Sequence, residues 1–267
     1  QPATDFRHQT SGPVERCQPN RIGQADYSNL AGPQMDDVEK EPWVLQFLDW
    51  EEEARTTRGL ARRISAAHIG RFRPMADFDY AWPKRIDRDA VEDAFRLDFI
   101  AQADNLVLLG PNGVGKTMLA QNICYQAVLR GIPTLLTTAS ALLADLSERH
   151  TSYALQQRLR HYSRPKLLCI DEIGYLSYDA RAADLLFEVI TRRYQRVSTI
   201  VSTNKPFAEW HEIFPNASSV VTLVDRLTHQ AEIIQIEGES YRLKESRERA
   251  EKRVTRRADK KRTKKAT

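Results

Sequence analysis

From about residue 105 onward the chain alternates short apolar runs with longer amphipathic ones. The segments Asn105–Gly110 (NLVLLG), Ile132–Thr138 (IPTLLTT), Lys166–Asp171 (KLLCID), Ser198–Thr203 (STIVST) and Ala231–Gly238 (AEIIQIEG) predict strands. The first four are continuously apolar or β-branched, as strands covered on both faces must be. Helical spacing of apolar residues predicts helices near 115–130, 139–162 and 181–195. Such alternation predicts an α/β domain with a mostly parallel sheet flanked by helices. Upstream, Val44, Phe47 and Leu48, then Leu60, Ile64 and Ala67, recur at helical spacings, with Arg55, Arg58, Arg62 and Arg63 on the opposite face. That pattern predicts a small helical segment over 38–73. Its exit, RPMADFDYAWPKRID, carries two prolines and reads as a linker into a main domain over 74–245. Residues 1–37 are rich in Pro, Gly, Gln, Asn and Asp without apolar periodicity, a composition that predicts disorder.

Composition sharpens this picture. Of the 267 residues 41% are hydrophobic, enough for a core. The 28% of charged residues and a mean hydropathy of −0.54 argue for a soluble protein. No apolar run approaches the roughly 18 residues that would predict a membrane span, and the first residues lack a signal-peptide pattern. Three widely spaced cysteines, with Cys124 and Cys169 in apolar surroundings, read as core fillers in a reducing cytoplasm. The histidines show no metal-ligand spacing. The net charge of +4 is unevenly spread: from Arg242 to Thr267 thirteen Lys or Arg face four Asp or Glu. Residues 246–267 therefore read as a basic tail, either a disordered polyanion-binding arm or a solvated, frayed helix end.

The strongest chemical signal is GPNGVGKT, that is Gly110, Pro111, Asn112, Gly113, Val114, Gly115, Lys116 and Thr117. It fits G-x-x-x-x-G-K-[ST] between a strand and a helix. Backbone N–H groups of such a loop wrap around phosphates, which a side chain at Gly115 would obstruct. Lys116 supplies charge near the β and γ phosphates, and the Thr117 hydroxyl can ligate Mg²⁺. The cofactors implied are ATP and Mg²⁺.

KLLCIDEIGYL ends a buried strand on Asp171 and Glu172. Adjacent carboxylates at such an edge are costly without a cation opposite. Asp171 suits the metal, and Glu172 can then act as general base on the attacking water. Asn204 follows another buried strand, where its amide can bond the γ-phosphate or orient that water. All three motifs fall on one sheet edge, where open α/β folds bind ligands.

The motif series, GPNGVGKT, LLCIDEIGYLSYD, LLFEVITRRYQRVSTIVSTNKPFAEW and VDRLTHQAEIIQIEGESYRLKE, with LARRI before it, closely resembles the IstB family of AAA+ helper ATPases encoded by IS21-type insertion sequences. More distantly it resembles DnaC-type helicase loaders and DnaA initiators. The likeness covers about residues 38–247. It implies an AAA+ ATPase that self-assembles on duplex DNA, bends it and recruits or stimulates the transposase of the same element. Under it Asp171 and Glu172 match Walker B, Asn204 matches sensor 1, Arg226 matches the arginine finger and Arg242 matches sensor 2. The resemblance implies that Arg226 serves the ATP of the adjacent subunit and Arg242 that of its own.

DNA contacts are expected from the basic positions Arg62, Arg63, Arg71 and Arg73, which would supply sequence-independent affinity. Two competing readings are a helicase loader, which would engage single strands, and a small-molecule phosphotransferase. The second needs an acceptor pocket and lid, whereas the Asp171–Glu172 pair favours water as acceptor.

Overall fold

The structure, a computed structural model, describes residues 42–175, 178–215 and 218–265. The region 1–37 read as disordered lies outside them, as does Cys17. The chain divides into two compact units, Gln1–Glu52 and Glu53–Thr267. Among the described residues of the first, Trp43, Phe47, Leu48 and Trp50 are exposed.

The second unit is built on a six-stranded sheet: β1 (Arg85–Ile86), β2 (Asn105–Leu109), β3 (Thr134–Thr138), β4 (Leu167–Ile173), β5 (Ser198–Thr203) and β6 (Ala231–Glu237). Their spatial order is β1-β6-β2-β5-β4-β3. All pairings from β6 to β3 are parallel, and β1 closes the edge antiparallel to β6. All five strands read from the apolar runs are present. The two-residue β1, inside the stretch read as a linker, adds one strand the pattern did not predict.

Alternation along each strand sends neighbouring residues to opposite faces of the sheet. Leu167 and Cys169 of β4 join one core with Leu106, Leu108 and Ile200. Leu168 and Ile170 join the other with Val201. The first core is covered by the part of α1 (Pro42–Ala67) that belongs to this unit and by α2 (Arg88–Arg96), α3 (Asp98–Gln102) and α4 (Lys116–Leu129). Leu60, Ile64 and Ala67 of α1 pack there, the expected apolar stripe. The second is covered by α5 (Ala139–Ser147), α6 (Ser152–Ser163), α7 (Ala180–Arg193), α8 (Trp210–Ile213) and α9 (Val220–Thr228). The single helix predicted near 139–162 is in fact α5 and α6. The break falls where the Thr151 hydroxyl accepts from the Ala154 amide, an N-cap that starts a new helix. Asp145 then ties the two together by accepting from Arg158 Nε at 2.6 Å and the Tyr162 hydroxyl at 2.8 Å.

Because β2, β4 and β5 are parallel, Gly110, Asp171 and Asn204 emerge on one edge. From β2 the chain crosses to β3 at the far side, while β6 lies against the other flank of β2. That switch in strand order opens the crevice in which such folds bind ligands. A final helix, α10 (Tyr241–Lys265), leaves from the same edge.

Candidate nucleotide-binding site

At this crevice lies a cavity of about 470 Å³. The second half of the loop from Gly110 to Thr117, Gly113–Thr117, lines it. The Gly110 amide donates to the Thr203 carbonyl of β5 at 3.2 Å, and a Cβ at Gly110 would strike the Ile236 carbonyl of β6. The loop is therefore wedged between the ends of β5 and β6. Gly113 and Gly115 hold φ of +82° and +105°, the left-handed region open to glycine. A Cβ at Gly115 would also come within 2.7 Å of the Phe78 ring. Lys116 opens α4, buried, its Nζ donating to the carbonyls of Gly110 at 2.6 Å and Pro111 at 2.9 Å. Burial holds its ammonium below the ordinary 10.5; Asp171 and Glu172 push it back up and Arg242 pushes it further down. An anion in the loop would relieve that cost.

The acid pair owes its geometry to a break in the β4–β5 ladder. Ile170 pairs with Val201 and Ile173 with Thr203, so β4 holds one residue more than β5 over this interval. Such a bulge re-aims side chains that strict alternation would send to opposite faces. Glu172 absorbs it with φ of +64°, uncommon for a residue with a side chain. Ser202 supports both acids. Its hydroxyl donates to the Asp171 carboxylate and accepts from the Glu172 amide at 2.9 Å. Asp171 is 3% exposed, whereas Glu172 lines the cavity.

Asn204 sits beside the pair. Its Oδ1 is buried without a hydrogen-bond partner among the described residues. Gly174, at φ +102°, lets it come close: a Cβ there would lie 2.6 Å from that oxygen. An unpartnered buried acceptor is costly in a folded protein and marks a place where a donor such as water is wanted. Asp171, the Thr117 hydroxyl and incoming phosphate oxygens are a donor set that suits Mg²⁺, which takes one or two carboxylates with substrate phosphates rather than an all-protein cage.

The two late arginines separate. Arg242, in the first turn of α10, lines the cavity with Lys116 and Glu172. Arg226, on α9, is not among the lining residues. It donates to Thr191 Oγ1, with its guanidinium 4.8 Å from the Phe187 ring centre and 5.7 Å from that of Tyr194. Of the four arginines read as DNA contacts, Arg62 is exposed on α1, and Arg63 Nε donates to the Val128 carbonyl at 3.3 Å. Arg71 and Arg73 line the nucleotide cavity, and Arg73 grips Glu245 through two bonds of 2.6 and 3.2 Å.

The supposed linker is also part of this site. Phe78, Trp82 and Tyr241 line the cavity, with Tyr241 packed edge-on to Trp82 at 6.1 Å between ring centres, and Trp82 Nε1 donates to the Glu239 carbonyl at 2.9 Å. Lys244 bonds Asp79 at 3.1 Å and lies over the Trp82 ring. Sequence reasoning missed Phe78 and Ser202. For Ser202 the available signal was a hydroxyl residue two positions before Asn204, directly after the apolar pair Ile200–Val201. Tyr80 packs edge-on to Phe78.

Cys124 and Cys169 are buried free thiols, as read. Among the described residues no helix is long and apolar enough to cross a membrane.

The family model described as IstB-like ATP binding protein matches residues 27–249. An ATP-binding protein of insertion sequence IS21 from Pseudomonas aeruginosa is 36% identical over 205 residues, 77% of this chain and 77% of its own length. One from insertion sequence IS5376 of Geobacillus stearothermophilus is 34% identical over 210 residues, 79% of this chain and 84% of its own. Among solved structures, the crystal structure of DnaI aligns with 67% of this chain and 98% of its own at a TM-score of 0.53 and 20% identity, a likeness of fold. Together with the parallel sheet and the phosphate loop, a family match spanning most of the chain makes this protein a member of the IstB-like ATP-binding family.

Proposed function

We propose that the protein is an ATP-hydrolysing transposition helper that assembles on duplex DNA and recruits or stimulates the transposase of its element. The observation that carries this reading is the separation of the two arginines, Arg242 in the cavity and Arg226 outside it. An arginine held off its own nucleotide is available to the nucleotide of an adjacent copy, which makes ATP a component of the subunit interface.

In this reading Gly110–Thr117 binds the phosphates, and Lys116 compensates their charge. Thr117 and Asp171 would hold Mg²⁺, which would supply positive charge to the bound phosphates. Glu172 accepts one proton of the attacking water, and Asn204 Oδ1 accepts a hydrogen bond from the O–H that remains. Arg226 of one copy stabilises charge on the transferring phosphoryl group of the next, a contribution of about 10³–10⁵ in rate in other P-loop enzymes. Arg242 contacts the nucleotide from within its own subunit. Binding then favours assembly, and hydrolysis loosens it.

A mobility shift on duplex and single-stranded DNA of equal length, with ATP, ADP or no nucleotide, tests the proposal. Large, ATP-dependent, sequence-tolerant complexes on duplex are expected. A preference for single strands would point to a helicase loader. Absence of binding in every nucleotide state would refute both and return attention to small phosphate acceptors.

A further inference from the structure

The C-terminal basic run is neither a separate tail nor structureless: through Lys265 it is helix, continuous with the wall of the nucleotide cavity. Its root is fastened at several points. The Tyr241 amide donates to the Gly113 carbonyl at 2.9 Å, a Cβ on Gly113 would strike Ser240, Glu245 holds Arg73, and Lys244 holds Asp79. Any shift of the phosphate loop on filling is therefore felt at the first turn of α10.

Beyond Ser246 the helix has little it could bury. Residues 246–267 hold eleven Lys or Arg against three Asp or Glu, a surplus of eight, and the apolar residues are Ala250, Val254, Ala258 and Ala266. The whole chain nets +4, so the other 245 residues carry 4 minus 8, a net of −4. The cationic surplus of this protein is thus concentrated in one helix. Sequence places Arg253, Arg257, Lys261 and Lys265 four residues apart, and the row beginning at Lys252 repeats the pattern. Like charges at that spacing share a helix face and destabilise it. A linear polyanion turns that repulsion into attraction.

We propose that α10 is the arm through which the protein grips the phosphate backbone of duplex DNA, with its root reading the state of the nucleotide. This rests on the duplex-binding reading above. From Ser246 to Lys265 the helix extends about 30 Å at 1.5 Å per residue, close to one duplex turn of about 34 Å. Duplex DNA presents about one charge per 1.7 Å. The absence of an apolar face in the sequence disfavours a lipid surface, which an interfacial helix enters through its hydrophobic side. The rows of Lys and Arg specify charge and spacing and no base contacts, in keeping with a sequence-tolerant grip.

The test compares the full chain with its R256Q/R257Q/K260Q/K261Q variant, which keeps good helix formers at each position. Duplex affinity is followed by fluorescence anisotropy against KCl concentration, with ATP bound. Losing four phosphate contacts should flatten the log–log salt slope by about 3.6, so that raising salt from about 50 to 200 mM weakens the full chain about 150-fold more than the variant. Binding of a fluorescent ATP analogue and the melting temperature should be the same in both, which separates a lost grip from a lost fold. Duplex binding by the full chain with an unchanged slope in the variant overturns the arm and leaves the duplex-binding reading standing. No duplex binding by the full chain overturns both. Variant-sensitive binding to phosphatidylserine vesicles with duplex binding unaffected would assign the helix to a membrane and also overturn it.

Discussion

Ser202→Ala removes one oxygen and should affect both acids. The hydroxyl is buried, donates to the Asp171 carboxylate and accepts the Glu172 amide at 2.9 Å. Without it the carboxylate loses a charge-assisted bond, and a largely buried amide loses its acceptor. Together these cost about 2–4 kcal/mol of folding stability. For a domain of this size each kcal/mol moves the melting temperature by roughly 2–4 °C, so a fall of about 5–15 °C is expected. Glu172 stands in a left-handed conformation that this bond helps to hold, so its carboxylate should lose its position as well. A misplacement on the order of 1 Å costs about 100-fold in rate. The assay is a thermal melt beside steady-state ATP hydrolysis, with Ser198→Ala as the control. Ser198 is equally buried on the same strand, but its hydroxyl serves the Phe99 carbonyl at 3.1 Å, away from the acids. The control should lose stability and keep its turnover per folded molecule. If Ser202→Ala melted within about 2 °C of the parent and hydrolysed ATP normally, the support assigned to Ser202 would be wrong.

Three other perturbations probe neighbouring parts. Gly174→Ala combines an unfavourable backbone with a Cβ aimed at Asn204 Oδ1; it should lower stability by about 1–3 kcal/mol, with hydrolysis lost and nucleotide binding retained, and normal hydrolysis would remove Asn204 from the mechanism. Burial lowers the Lys116 pKa, so between that depressed value and the ordinary 10.5 the unfolded chain binds more protons than the folded one, and stability of the nucleotide-free protein should rise with pH across that window. Phosphate should restore the proton, which calorimetry in buffers of different ionisation heat would register as uptake on ATP binding at alkaline pH, absent in Lys116→Met. Arg226→Ala should bind ATP without hydrolysing it, yet recover hydrolysis when mixed with Lys116→Ala, because a mixed interface pairs an intact phosphate loop with an intact arginine; no recovery would argue that Arg226 acts within its own subunit.

The sheet was legible because its inner strands are covered on both faces, which makes β2 and β4 continuous apolar runs at Leu106–Leu109 and Leu167–Ile170. The phosphate loop was legible because its chemistry tolerates few residue types. What escaped was whatever depends on contacts between distant segments. Phe78 and Trp82 belong to a proline-bearing stretch without periodicity, and only packing against Gly115 and α10 reveals them as a cavity wall. Strand β1 has two residues, too few to show alternation. Arg71 and Arg73 read as basic surface, but Glu245, 172 positions later, claims Arg73. Arg193 carried no signal, yet it is 1% exposed and donates to Thr199 Oγ1 and to the carbonyls of Tyr162 and Pro165 at 2.9–3.0 Å. Burial brings its pKa down to about 9, which still leaves it charged at neutral pH, a cation satisfied by dipoles alone.

The irregularities of this fold gather where β4 and β5 end. The register shift, the left-handed Glu172, the left-handed Gly174 and the unpartnered oxygen of Asn204 lie within a few residues of one another. The register shift, the left-handed Glu172 and the unpartnered Asn204 oxygen are each unfavourable, by roughly 1–3 kcal/mol, whereas Gly174 takes its left-handed conformation without a steric penalty. Ladder relaxation is opposed by the packing around it. Ile170 and Val201 are fully buried in one core and Cys169 and Ile200 in the other, so restoring the register by one residue would turn apolar side chains to the wrong face along the strand. The two cores thus hold in place an arrangement that local energetics disfavour. That arrangement puts Glu172 on the cavity wall with Lys116 and keeps the unpartnered Asn204 oxygen against Gly174.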